Sequence, residues 1–182
     1  MMARVPQIAG RDDLPDGSKY VADQVQAVFG AIRGPFSILL HSPELAERLL
    51  PMVPFNREKS VVAGPLRSIG ILAGVREKDC AYVWQAQVRA ARVNGLREAA
   101  IDVLRAKGDA GALRAEEREV AIYARQLTLT NKVEQPVFDA LRTRHGTKWL
   151  VELTAFIGFY GALCGVCNAF EVPAPDDGDR HP

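Results

Sequence analysis

The chain has 182 residues, of which 48% are hydrophobic and 25% charged, and its 23 basic and 22 acidic residues leave a formal net charge of +1. This length suits one domain with its own core. The basic residues are scattered and form no run interleaved with aromatic residues, which argues against a nucleic-acid-binding protein. The N-terminus lacks the apolar segment of a secretory signal, so we expect a cytoplasmic protein whose three cysteines are reduced.

The apolar residues recur at helical spacing along most of the chain, which predicts an all-α fold. Residues 1–15 and 174–182 are rich in Pro, Gly and Asp, and we expect them to be flexible segments. A single helical domain is therefore predicted over residues 16–173. Its first helix is expected at residues 18–29, ending near Gly30.

The next predicted helices carry recognisable start signals. Ser42 followed by Pro43 is typical of an N-cap and a first helical residue. Further helices are expected at residues 65–75 and 80–94, the second capped by Asp79. The short link between these two predicts that they pack as neighbours.

The second half of the chain predicts four more helices, over "LREAAIDVLRAKG", "RAEEREVAIYARQLTLT", "VEQPVFDALRTRHG" and residues 147–170. The last contains 15 uncharged residues, "LTAFIGFYGALCGVC", fewer than the roughly 20 that span a membrane. We therefore predict a buried core helix and no membrane partner. Gly158, Gly161 and Gly165 lie three and four residues apart, which predicts the close approach of another helix.

The stretch "KDCAYVWQAQ" places a cysteine at the start of a helix, where the positive end of the helix dipole favours a thiolate. Cys80, Val83, Trp84 and Gln87 share one helical face. A dithiol site would need a second sulfur at position 83, and a proton relay would need a titratable group at position 87. The alternative is a packing face with one buried thiol.

The order of these segments resembles the carboxymuconolactone decarboxylase family, whose all-α superfamily also holds alkylhydroperoxidase-D-like proteins. The resemblance covers about residues 34–173. It is carried by "GPFSILLHSPELAERLL", "PLRSIGIL", "DCAYVWQAQ", "YARQL" and "VELTAFIGFYGALCGVCNAFEVP". It implies an alkylhydroperoxidase-D-like helical domain that assembles as a homotrimer or hexamer.

The family's peroxidase-type members use a glutamate, two cysteines separated by two residues, and a histidine. By resemblance these positions fall on Ser68, Cys80, Val83 and Gln87, so only the first cysteine is retained. One thiol cannot close an intramolecular disulfide. The resemblance therefore implies a member without dithiol peroxidase chemistry.

The resemblance favours a diverged lyase, decarboxylase or isomerase that acts on a small organic acid or lactone without a cofactor. In this hypothesis Cys80 is the nucleophile or acid–base group, and Gln87 and Ser68 orient the substrate or stabilise an oxyanion. Arg67 would hold a substrate carboxylate as a guanidinium fork, and Arg125 is a second candidate for that task. The remaining candidate substrate-binding residues are Tyr82, Trp84 and His41.

Two other functions stay open. One is a non-catalytic ligand-binding or scaffold protein that keeps the fold after losing the relay residues. The other is thiol redox chemistry through the CxxC pair Cys164 and Cys167, although the pair lies near the negative end of its helix, where a thiolate is disfavoured. No familiar metal-ligand spacing is present, and we predict no metal site.

Overall fold

The computed structural model describes residues 3–176, 178 and 179, and these form helices and turns without a strand. The predicted all-α class is therefore confirmed. The α-helices are α1 (Lys19–Phe29), α2 (Pro35–Leu39), α3 (Pro43–Leu49), α4 (Met52–Pro54), α5 (Gly64–Glu77), α6 (Ala81–Val93), α7 (Glu98–Arg105), α8 (Ala115–Thr130), α9 (Gln135–His145) and α10 (Thr147–Ala169). Short 3₁₀ turns occur at Arg11–Asp13, Asp16–Ser18 and Ala110–Ala112, and a π-helical turn at Phe55–Lys59.

The described residues fall into two compact units, and one of them comprises residues 3–60 and 165–174. In this unit α3 packs against α1 and α2. Ser42 is the N-cap of α3 and is followed by proline, as the sequence predicted. The rings of Phe29 and Phe36 lie 5.1 Å apart, and the Arg57 guanidinium lies 5.5 Å from the Phe29 ring centroid.

The other unit comprises residues 61–164 with 175, 176, 178 and 179. Its central element is α5, which packs against α6, α7 and α8. Every residue from 67 to 76 of this helix is buried, so the helix is enclosed on all sides and its apolar residues show no single face. The prediction that α5 and α6 are neighbours is confirmed.

Two glycines of α5 let other helices approach it closely. A Cβ atom at Gly70 would lie 2.6 Å from Leu153 Cδ1, and one at Gly74 would lie 3.0 Å from Thr128 Oγ1. By contrast, a Cβ at Gly158, Gly161 or Gly165 would meet nothing within 4 Å. The predicted close approach at the α10 glycines is therefore wrong within the described residues, and the close packing occurs at α5 instead.

Helix α10 passes a length and hydropathy test for a membrane span, with a mean hydropathy of 1.8 in its most apolar window. Buried positions make up 56% of that window, and the core helix of a soluble protein passes the same test. Its apolar character agrees with the predicted core helix. The predicted single-domain organisation stays a prediction.

Candidate functional site

Helix α6 begins differently from the sequence prediction. Its N-cap is Cys80, whereas Asp79 stands before it with a left-handed backbone (φ 46°). The Asp79 carboxylate is hydrogen-bonded to the Arg76 guanidinium and lies 3.3 Å from Lys107 Nζ. The prediction that Asp79 caps α6 is wrong, because two cations hold its carboxylate against other parts of the unit.

The face of α6 on which the resemblance would place a peroxidase site is buried. Cys80 is 1% exposed, Val83 3% and Trp84 0%, so their side chains lie in the core. Tyr82 and Gln87 are half-buried. Thus Cys80 and Val83 are packed away from solvent-borne oxidants, and of the predicted site residues on this segment Tyr82 and Gln87 are partly accessible.

Ser68 is placed at the opposite end of α6 from Cys80. Its Oγ accepts a hydrogen bond of 3.0 Å from Nδ2 of Asn94, the C-cap of α6. Cys80 and Asn94 are separated by the length of the helix, about 20 Å at 1.5 Å per residue. The structure therefore does not bring Ser68 and Cys80 into one reacting group.

Arg67 lies in a buried polar cluster that also contains Glu152 and Tyr160 of α10. The three residues are 7%, 8% and 6% exposed. Arg67 Nη1 donates a 2.7 Å hydrogen bond to the Val62 carbonyl oxygen, and Glu152 Oε2 accepts one of 2.9 Å from the Val61 amide. Burial lowers the pKa of the Arg67 guanidinium, and negative charge at Tyr160 and Glu152 opposes this shift.

The sequence analysis missed Glu152 and Tyr160 as members of this cluster. A detectable signal was present, because Glu152 borders the uncharged segment of α10 at residues 153–167, and Tyr160 follows eight residues later on the same side of the helix. A charged group on the buried face of such a helix needs a partner. Arg67 on α5 is the nearby cation.

Other sequence candidates have structural roles. Arg125 lies 3.4 Å from Glu77 Oε1 and donates to the Gly108 carbonyl at 2.9 Å, so its guanidinium is already ion-paired. His41, which belongs to the other unit, is exposed, and its Nε2 lies 2.8 Å from the Pro6 carbonyl oxygen. This contact ties His41 to the local backbone.

Cys164 and Cys167 are both buried thiols within the continuous helix α10, as Cys80 is buried before α6. Gly165 does not interrupt the helix between the two. An i, i+3 disulfide inside a regular helix is strained. Across the described residues, no group of three or more His, Cys, Asp or Glu side chains is arranged to hold a metal ion.

No known family profile matches the chain, and no curated protein matches it significantly. Its fold is similar to the crystal structure of an alkylhydroperoxidase AhpD core, an uncharacterized peroxidase-related protein from Ralstonia eutropha JMP134. The two chains share 18% identity, with a TM-score of 0.76, over 97% of this chain and 94% of that one. The helices of this chain therefore adopt the alkylhydroperoxidase AhpD-like fold.

Proposed function

We propose that this protein is a diverged small-molecule enzyme of the carboxymuconolactone decarboxylase type. It acts as a lyase, decarboxylase or isomerase on a small organic acid or lactone and lacks dithiol peroxidase chemistry. The AhpD-like fold supports the broad assignment. The residues on α6 support the absence of dithiol peroxidase chemistry, because Val83 and Gln87 supply neither a second thiol nor a titratable relay group.

The observation that carries the proposal is the buried Arg67 guanidinium. Within the described part of the chain its Nη1 donates to the Val62 carbonyl oxygen, and Tyr160 and Glu152 are its ionisable neighbours on α10. A guanidinium has five N–H donors in a planar fork that matches a carboxylate. Burial strengthens such a charge-assisted bond, since water competes for it less. Arg67 is thus suited to hold a substrate carboxylate.

The groups beside Arg67 suggest what else the substrate meets. Tyr160 offers a phenolic hydroxyl and Glu152 a carboxylate on the same face of α10. A phenol can donate a proton or a hydrogen bond to a developing oxyanion, and a carboxylate can accept a proton. Ser68 follows Arg67 directly and is proposed to orient groups near Asn94. Cys80 lies beyond the far end of α5, so a catalytic role for Cys80 and Gln87 is proposed only as an alternative to the Arg67 site.

The test compares Arg67→Lys with Arg125→Lys in the full-length protein. Both changes keep the positive charge and remove the planar fork, but Arg125 is already paired with Glu77. With carboxymuconolactone as the probe, Arg67→Lys should raise KM by tenfold or more, and Arg125→Lys should change KM little. Release of CO2 measures turnover, and far-UV circular dichroism checks that both variants fold. Equal KM values would refute the assignment of Arg67.

Two further variants address the cysteine helix. Cys80→Ala or Gln87→Ala should abolish turnover if these residues act on the substrate, and unchanged rates in both would remove them from the site. Reduction of cumene hydroperoxide in the presence of a dithiol should be absent in the wild type. Sustained, Cys80-dependent peroxide turnover would contradict the exclusion of peroxidase chemistry.

A non-catalytic scaffold protein is the second candidate, and the burial of Cys80, Val83 and Trp84 at 3% exposure or less favours it. Core packing fills the region where the related proteins perform chemistry. This alternative predicts neither turnover nor binding of carboxymuconolactone by isothermal calorimetry. In either case we propose a homotrimeric or hexameric assembly, which sedimentation velocity tests directly.

A further inference from the structure

The C-terminal segment carries a carboxylate that is bound by two arginines. Asp179 Oδ2 lies 2.5 Å from Arg92 Nη1, and Asp179 Oδ1 lies 3.2 Å from Arg92 Nη2 and 3.1 Å from Arg105 Nη2. The side chains of Arg105 and Asp179 are each 24% exposed, so this contact is half-buried. The arginines lie on α6 and α7, so they form a carboxylate-binding fork that Asp179 fills.

The two guanidinium groups are held in position by acidic neighbours. Arg92 pairs with Glu98 at 2.6 Å and 3.0 Å, and Arg105 is hydrogen-bonded to Asp102. These contacts orient the donors before any ligand arrives, which is what a binding site requires. The fork is therefore preorganised and does not depend on Asp179 for its shape.

Gln85 supplies a second, independent feature beside this fork. It lies seven residues before Arg92 and therefore on the same face of α6. Its side chain is 98% enclosed, with 2% exposure, and its Oε1 has no hydrogen-bond partner among the described residues. A buried amide oxygen without a donor is destabilising, because it has lost its hydrogen bonds to water. Such an acceptor indicates a site that is completed by a donor from elsewhere.

Gly178 lies directly against the Gln85 side-chain amide. A Cβ atom at Gly178 would lie 2.0 Å from Gln85 Oε1, so the glycine backbone rests directly on the amide. Consecutive Cα atoms are about 3.8 Å apart, which places the Gln85 oxygen within one residue of the bound Asp179. The segment covers the amide but gives it no hydrogen bond, while its carboxylate fills the arginine fork.

We propose that Gln85, Arg92 and Arg105 form a binding site for a small hydroxycarboxylate, which the C-terminal segment occupies through Gly178 and Asp179. The ligand carboxylate replaces Asp179 on the two arginines, and its hydroxyl donates to Gln85 Oε1. The segment therefore acts as an internal competitor that must leave before the ligand binds. This site is separate from the Arg67 cluster and does not depend on the proposed function.

The test uses 3-hydroxybutyrate and butyrate as probes, since they differ in the hydroxyl donor. Their binding to the full-length protein is followed by the NMR signal of the Gln85 side-chain amide, which Gln85→Leu identifies by its loss. Gly178→Ala and Asp179→Asn should each displace the segment. If the segment is closed in about 90% of molecules, either change should tighten 3-hydroxybutyrate binding about tenfold.

Three controls make the result decisive. Gly17→Ala is the matched glycine variant, because its Cβ would meet nothing within 4 Å, and it should leave binding unchanged. Arg105→Gln in the Asp179→Asn background should abolish binding, and butyrate should bind more weakly than 3-hydroxybutyrate. Equal affinity for the two probes, or no gain in either displaced variant, would overturn the proposal. The binding measured at Gln85 does not require turnover at Arg67, so failure of the Arg67 test would leave this result unchanged.

Discussion

Replacing single glycines by alanine should have opposite effects on α5 and α10. At Gly70 the new Cβ would lie 2.6 Å from Leu153 Cδ1, 3.5 Å from Val120 Cγ1 and 3.6 Å from Ile157 Cδ1. Leu153 is fully buried and has no empty space to move into. Overpacking a core costs about 1–3 kcal/mol, and the gain from removing a helical glycine is about 1 kcal/mol. Gly70→Ala should therefore lower the free energy of unfolding by about 1 kcal/mol.

Gly158→Ala is the matched variant in the same compact unit. Its Cβ would meet nothing within 4 Å, so only the helix-propensity gain of about 0.5–1 kcal/mol remains. The two variants should thus differ by about 2 kcal/mol, which is a separation of about 1 M in urea midpoint for a typical m value. Circular dichroism during urea unfolding measures both. If Gly70→Ala were as stable as Gly158→Ala, the packing argument would be refuted. A loss of stability in Gly158→Ala that depends on protein concentration would show that another copy of the chain covers α10.

Three other measurements have outcomes that follow from burial and charge. Trp84→Ala should lower the unfolding free energy by about 3–5 kcal/mol, because it empties a fully buried site, and urea titration measures this loss. All three cysteines should resist an aromatic disulfide reagent until denaturant is added, and rapid native labelling of Cys164 and Cys167 would favour the redox alternative. The hydrogen bond from Arg92 lowers the pKa of Asp179, so its stabilising contribution is complete above the ordinary value of 3.8 and is lost as the pH falls through the lowered value. A carboxyl-carbon NMR titration of Asp179 that reports an ordinary or raised pKa would contradict the ion pairs with the two arginines.

Much of the helical framework could be predicted because its signals are local. Ser42 occupies the predicted N-cap position with proline after it, although its side chain makes no capping hydrogen bond. The helix expected at residues 65–75 is observed as Gly64–Glu77. The predicted final helix at residues 147–170 is observed as Thr147–Ala169. Capping residues and apolar periodicity act within a few residues of the position they control, which explains these results.

The start of α6 could not be predicted because one of its determinants, Lys107, is distant in sequence. An aspartate before a helix usually caps it. Here Lys107, 28 residues later, and Arg76 compete for the carboxylate of Asp79. The chain then turns through a left-handed residue, and the cap position passes to Cys80. A local rule fails where ion pairs between separate helices decide the side-chain position.

The same reasoning applies to the candidate site. That Ser68, Val83 and Gln87 stand in place of relay residues stays a prediction from the resemblance. The sequence itself establishes only the identity of these residues. It does not show that Ser68 bonds to Asn94 or that Arg67 lies with Glu152 and Tyr160, since these pairings join residues up to about 90 positions apart. The structure places Arg67 and Ser68 near the start of α5 and Cys80 beyond its end.

Arg67 and Cys80, which the resemblance assigns to one site, lie far apart along α5. Arg67 lies ten residues before the end of α5, or about 15 Å along the helix axis, whereas Cys80 follows that end. Residues separated by more than about 7–10 Å without shared partners act nearly independently. The identity of the residues at positions 83 and 87 on α6 is therefore expected to have little effect on the buried Arg67 guanidinium and its neighbours on α10. Under the proposed function, loss of a peroxidase relay and loss of ligand recognition are separable, because they would involve residues at different ends of α5.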